Sequence, residues 1–226
     1  MTAGPGAPGF YESVGFAYDH DVETRFGPAL RMHRAVPAGG GAPPCGTGEL
    51  AFRLIVDADL PMLHRWLNEP GVVRWWEGDD VSWEAVARDY VRDGTAEHWI
   101  ACRGGAGVGW IQCWAVADEP DECGPWIGLG IDRTAAGIDY LVGDPADRGR
   151  GVGSAMIRAF VDDVVFGLHP QWSQACAAPY EANVASWRAL EKAGLRFVGT
   201  VDGKEGPCRL MAAGREERPT ASPGGG

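Results

Sequence analysis

Residues 148–154 read Arg148-Gly149-Arg150-Gly151-Val152-Gly153-Ser154, and those residue types suit holding an anion. The first N–H groups of a helix have no intrahelical acceptor, and they carry the positive end of the helix dipole, roughly half an elementary charge. Glycines let a ligand come close to the main chain, so phosphate oxygens fit such a cradle. Two arginines add long-range attraction. No G-K-[ST] closes the loop, and G-x-G-x-x-G is absent, so it is neither a Walker loop nor a dinucleotide fingerprint. The same glycines also suit a tight strand-to-helix turn, and the loop by itself leaves both readings open.

The elements that must position this loop follow from the patterning around it. "GIDYLVG" before it reads as a strand, and the run from about Gly151 to Phe166 reads as a helix. Upstream, "ELAFRLI" alternates as a strand. "DADLPMLHRWLNEPG" puts Leu60, Leu63 and Leu67 on one helical face, with Asp57 or Asp59 as cap and Pro70-Gly71 as stop. "VSWEAVARDYVRDG" is a second helix between Ser82 and Gly94. "HWIACR" and "GVGWIQCWAVA" form a hairpin about Gly104-Gly105. Downstream, "QWSQACAA" is a strand and "NVASWRALEKAG" a helix capped by Asn183 and stopped by Gly194. "RFVGTV" and "CRLMA" are two closing strands. This order predicts an α/β protein whose mixed sheet has a parallel pair in its middle.

Bulk composition narrows the classes. A chain of 226 residues supports one good core or one domain with a tail. Residues 37–48 hold eight Gly or Pro in twelve positions, the composition of a linker. Four segments follow: an extension over 1–36, the linker, a folded domain over 49–213, and a polar tail over 214–226. No apolar run approaches the ~20 residues of a membrane helix, and no basic-then-apolar leader opens the sequence; the expected location is the cytoplasm. The net charge of −11 argues against nucleic acid and suits a cationic small-molecule partner. The six cysteines and five histidines are scattered without ligand spacing, which predicts reduced, mostly buried thiols and no metal site.

R-x-x-G-x-G over 148–153 resembles the acetyl-CoA pyrophosphate loop of the GNAT superfamily of N-acetyltransferases. "EANVASWRALEKAGLRFVGTV" is similar to the segment that follows it in that family, with an Asn-led helix beside the pantetheine arm. Within the superfamily, "FRLIVDADLPMLHRWLNEPGVVRWWEG" together with "GID" resembles the aminoglycoside 6′-N-acetyltransferases, over about 52–211. The resemblance implies the GNAT fold, a sheet of six to seven strands with a splayed parallel pair and about four helices. It implies a monomer or homodimer using acetyl-CoA as co-substrate, with a polycationic amine as acceptor.

It also implies a set of site residues. Tyr140, Leu141 and Val142 would supply a backbone N–H to the thioester oxygen, and residues Arg148, Gly149, Arg150, Gly151, Val152, Gly153, Ser154 and Asn183 would hold the coenzyme. Asp139 would hold the acceptor amine and take its proton. Asp132 and Glu205 would bind other amines, and Trp75 and Trp76 would offer indole faces to a sugar and its ammonium groups, with core packing expected for one of the two. Acidic residues at Glu77, Asp79 and Asp80 and at Asp118, Glu119, Asp121 and Glu122 would rim a cationic site. Two positions depart from the family pattern. Leu190 stands where a tyrosine often protonates the leaving thiolate, leaving Tyr140, Tyr180 or water to substitute. Ala178 stands where close relatives carry a substrate-binding aspartate, with Glu181 as an acidic neighbour.

Overall fold

The computed structural model describes residues 50–76, 79–90 and 95–217, and the backbone of 2–3, 17–24 and 27–33. Those three N-terminal stretches are strands β1 (Thr2–Ala3), β2 (Ala17–Thr24) and β3 (Gly27–His33), which pair antiparallel in a sheet of their own. The expected linker over 37–48 lies outside the described residues.

The main sheet has seven strands: β4 (Ala51–Leu54), β5 (Glu97–Arg103), β6 (Ala106–Ala115), β7 (Ala136–Val142), β8 (Gln174–Ala177), β9 (Arg196–Gly203) and β10 (Gly206–Gly214). Their spatial order is β4-β5-β6-β7-β8-β10-β9, all antiparallel except β7 with β8. The helices are α1 (Leu60–Leu67), α2 (Pro70–Val73), α3 (Trp83–Asp89), α4 (Pro120–Gly128), α5 (Val152–Phe160), α6 (Phe166–Leu168) and α7 (Val184–Ala193). A π turn over Val161–Val165 joins α5 to α6.

Strand alternation sorts the core into two layers. On β6, Ile111 and Cys113 face α5, packing with Ile157, Phe160 and Val164. Trp110 faces the other way, against Leu63, Trp66 and Leu67 of α1. Burying each large side chain of this kind contributes about 1.5–3 kcal/mol, and a helix layer on each side keeps both faces of the sheet dry.

The hairpin about Gly104-Gly105, the cap at Ser82 and the stop at Gly194 stand as the sequence predicts. Four points differ. Asp59 does not cap α1: its carboxylate accepts both terminal nitrogens of Arg53, at 2.6 and 2.7 Å, and turns back to the Val56 N–H. Pro70 starts α2 rather than only ending α1, since proline is preorganised for a first helical turn. The acidic stretch after Asp118 runs into helix α4, an element not expected from the sequence. The fold also runs past residue 213, because Arg215 donates to the carbonyls of Phe166, His169 and Trp172. Cys102 is disulfide-bonded, a correction to the expectation of reduced thiols: bonding needs proximity in space, which scattered positions in sequence do not forbid. Cys113, Cys123 and Cys176 are free and buried, and Cys208 is buried. No helix of the described residues is long and apolar enough to cross a membrane.

Candidate active site

The parallel pair is short. β7 and β8 pair only at Ala136–Ala175 and Gly137–Cys176, and beyond those residues the two strands part. The Gly143 N–H donates to Val108 on β6. In a strand, successive residues point their amides to opposite sides, so Tyr140 and Val142 turn theirs toward the gap. The Val142 carbonyl accepts from the Arg148 side chain.

At the mouth of the gap lies the glycine loop. Gly149 and Gly151 have φ of 72° and 85°, a conformation that side chains disfavour. Gly151 opens α5 and accepts the first helical bond from Ala155, so the amides of Val152, Gly153 and Ser154 are the donors at the helix start. Gly153 is needed for space: a Cβ there would sit 3.3 Å from Val142 Cγ2 and 3.9 Å from Ala189 Cβ, across the gap. Val152 contributes its amide alone, because its side chain is buried in the core.

Of the two loop arginines, Arg148 lines the cleft. Arg148 folds back onto Glu69, Val142 and Gly143, and the guanidinium holds the Glu69 carboxyl below its ordinary range. It therefore ties the loop to the start of α2. Arg150 is exposed and does not line the cleft. The cationic side chains lining the cleft from α7 are Arg188 and Lys192.

The gap opens into a cleft of about 1260 Å³. Asn183 lines it while capping α7 by accepting from the Ser186 N–H. Tyr140 also lines it, its hydroxyl 2.7 Å from Ser186 Oγ, and burial pushes the phenol up. Leu190 is fully buried in the main core. Tyr180 lines the cleft and accepts the Glu205 N–H; Ala178 lines it too.

Asp139 is held by side chains of the neighbouring strand. Gln112, its direct partner on β6, donates Nε2 to Oδ2 at 2.7 Å, and Trp114 donates its indole N–H to the same oxygen at 3.1 Å. Trp114 reaches it because its own cross-strand partner is Gly137; any Cβ there would collide with the indole at 2.4 Å. These orienting residues were not legible in the sequence, although the β6 alternation would have put Gln112 on the correct face.

Trp75, Trp76, Trp114 and Trp126 line the same cleft, together with Asp79, Glu122 and Asp202. Trp76 is also a core residue, with its edge against Trp110 and its indole N–H on Tyr90. Trp75 carries the Arg74 guanidinium 4.4 Å above its ring. Burial, with the Asp79 and Asp139 carboxylates after it, pushes the Tyr90 phenol up to about 12.

Asp132 and Glu205 are not among the lining residues. Asp132 lies before β7, at the end away from the glycine loop, and accepts from Ser173 Oγ. Glu205 sits in the exposed β9–β10 turn, where its neighbours Asp202, Gly203 and Lys204 line the cleft instead. Glu181 pairs with Arg209 at 3.6 Å. Glu77 lies outside the described residues.

A parting parallel pair with a glycine-headed helix at its mouth, and an oriented carboxylate beside strand amides, defines an acyltransferase of the GNAT fold. The chain belongs to the acetyltransferase (GNAT) domain family, whose profile matches residues 56–203. It is 29% identical to aminoglycoside N(6′)-acetyltransferase type 1 of Klebsiella pneumoniae over 173 residues, 74% of this chain and 84% of that protein. The protein of the same description from Serratia marcescens gives the same figures. Among solved structures, AAC(6′)-Ib in complex with paromomycin and acetyl-CoA matches with a TM-score of 0.67 at 28% identity, over 75% of this chain and 96% of that one. The complex of AAC(6′)-Ib with coenzyme A and kanamycin matches at 0.65, with the same identity, over 74% and 96%.

Proposed function

We propose that this protein transfers an acetyl group from acetyl-CoA to the 6′-amine of an aminoglycoside, a resistance activity. The observation that carries the reading is Asp139: an exposed carboxylate, fixed by two donors on one oxygen, next to strand amides that face the β7–β8 gap.

The residues present suit the coenzyme. The amides at the start of α5 suit its phosphates, Gly153 leaves room between Val142 and Ala189, and Arg188 and Lys192 add positive charge. The bound thioester supplies the acetyl group. Every other task falls to the chain. Asp139 accepts a hydrogen bond from the acceptor ammonium and takes its proton, since only the neutral amine attacks. The Tyr140 and Val142 amides bind the oxygen on which negative charge grows; one such donor is worth a factor of about 10²–10³ in rate. Tyr140, kept protonated by burial and held by Ser186, donates to the departing sulfur in place of the side chain that Leu190 lacks. Asp79, Glu122 and Asp202 meet the other ammonium groups of the acceptor, and the tryptophans offer apolar and π faces.

The test is thiol release from acetyl-CoA with kanamycin- and tobramycin-like acceptors, followed by mapping of the acetylated nitrogen. Release that depends on the acceptor, with acetyl at the 6′ position, is the expected result. A complete panel without acceptor-dependent release refutes the proposal. Asp139→Asn is expected to lower kcat about 100-fold or more while the protein stays folded.

A further inference from the structure

On the face of the sheet away from Asp139, three chemically distinct donors converge. Glu97 and Cys113 are direct partners across the β5–β6 ladder, so their side chains share a face. It is the α5 face, where Cys113 packs beside Phe160 and Phe166. His169 follows α6, and its Nε2 lies 3.3 Å from Glu97 Oε2. Cys113 Sγ, a Glu97 carboxylate oxygen and a His169 ring nitrogen all lie within 4.8 Å of one another. Cys113 is 0% exposed and His169 4%.

Trp172 stacks on the imidazole at 4.0 Å, and the Gln171 amide nitrogen stands 3.4 Å from Nδ1, so that Nε2 is the ring nitrogen facing Glu97. The segment carrying it is stitched down by Arg215, through the carbonyls of Phe166, His169 and Trp172.

Trp99 lies two residues from Glu97 on the same face of β5 and belongs to the same core cluster as Cys113, and its indole nitrogen is buried without a hydrogen-bond partner. A thiol is a weak acceptor, so this buried donor is poorly satisfied. A metal-bound thiolate is a strong acceptor and would satisfy it.

We propose that Glu97, Cys113 and His169 bind one divalent cation of the zinc class, tying β5 and β6 to the segment after the π turn. Thiolate and carboxylate together cancel its charge in an apolar surrounding. One sulfur, one imidazole and one carboxylate select Zn²⁺ or Co²⁺ over Mg²⁺ or Ca²⁺. Bonds of about 2.3 Å to sulfur and about 2.0 Å to nitrogen and oxygen require the three donors to close in, a side-chain movement, with water in the fourth position. The site is structural and stands apart from the acetyl-transfer chemistry. Nothing in the sequence announces it, because the three residues come from three separate elements.

The experiment is a Co²⁺ titration of the chelator-treated, full-length protein. One Co²⁺ per chain is expected, with a near-ultraviolet thiolate-to-metal absorption that Zn²⁺ displaces. Cys113→Ser is expected to abolish the absorption, and His169→Gln to weaken binding at least tenfold. If Cys113→Ser does not fold, Glu97→Gln is the second variant: the absorption remains and affinity drops at least tenfold. No saturable absorption in the wild type, an absorption that survives in folded Cys113→Ser, or unchanged affinity in both His169→Gln and Glu97→Gln overturns the proposal.

Discussion

Gly153→Ala separates the glycine loop's binding role from its folding role. Gly153 lies in the first turn of α5, and unlike Gly149 and Gly151 it does not have positive φ. Alanine is the better helix former, by about 0.5–1 kcal/mol. Its methyl would stand 3.3 Å from Val142 Cγ2, a contact that a small side-chain shift relieves. Thermal stability is therefore expected to hold or rise slightly. The same methyl projects into the gap between β7 and α7, where the proposed function puts the thioester arm, and it would keep a ligand from the helix-start amides. Losing one such hydrogen bond costs about 1–1.5 kcal/mol, so the KM for acetyl-CoA should rise about tenfold, with little change in KM for the aminoglycoside. Initial rates across an acetyl-CoA series, beside a melting curve, measure both quantities. An unchanged acetyl-CoA KM in a folded Gly153→Ala protein would refute the placement of the coenzyme in this gap.

Gln112→Leu should lower kcat about tenfold or more while leaving the acetyl-CoA KM unaltered, because it releases Asp139 and touches no coenzyme-binding group; a pH–rate profile shared with wild type would count against it. Leu190→Ala should cost about 2–5 kcal/mol, as a fully buried leucine does, and urea unfolding measures it; a loss of under about 1 kcal/mol would show that the position is not core. Burial drops the His98 imidazole from 6.5 to about 4. Between those values the unfolded chain binds the extra proton, so this group's contribution to stability falls as pH falls from 6.5 toward 4, on the order of 3 kcal/mol in all. His98→Gln should flatten that part of the stability profile, and equal slopes for variant and wild type in urea midpoints at pH 7 and pH 5 would contradict it.

How much of the fold and site was legible follows from the range of each interaction. The Ser82 cap, the Gly194 stop and the Gly104-Gly105 hairpin depend on residues a few positions apart, and the sequence states them outright. The glycine loop is local in the same sense. Helix α4 escaped because its acidic residues read as a charged surface, and Pro125 lies inside it. The contact of Arg148 with Glu69 escaped for a different reason: Glu69 is distant in sequence, and nothing near the loop announces a carboxylate there.

By itself, the sequence determined the α/β alternation, the family motif, the glycine loop at the head of a helix and Asp139 as the carboxylate on the strand before it. Periodicity, capping and glycine conformation are short-range properties, so a single chain displays them. Only the tertiary structure decided which donors orient Asp139, that Asp132 and Glu205 stay out of the cleft, that Leu190 is core, and that Glu97, Cys113 and His169 meet. Those outcomes depend on sheet register and on which face each side chain takes, and register is set by the packing of the whole domain.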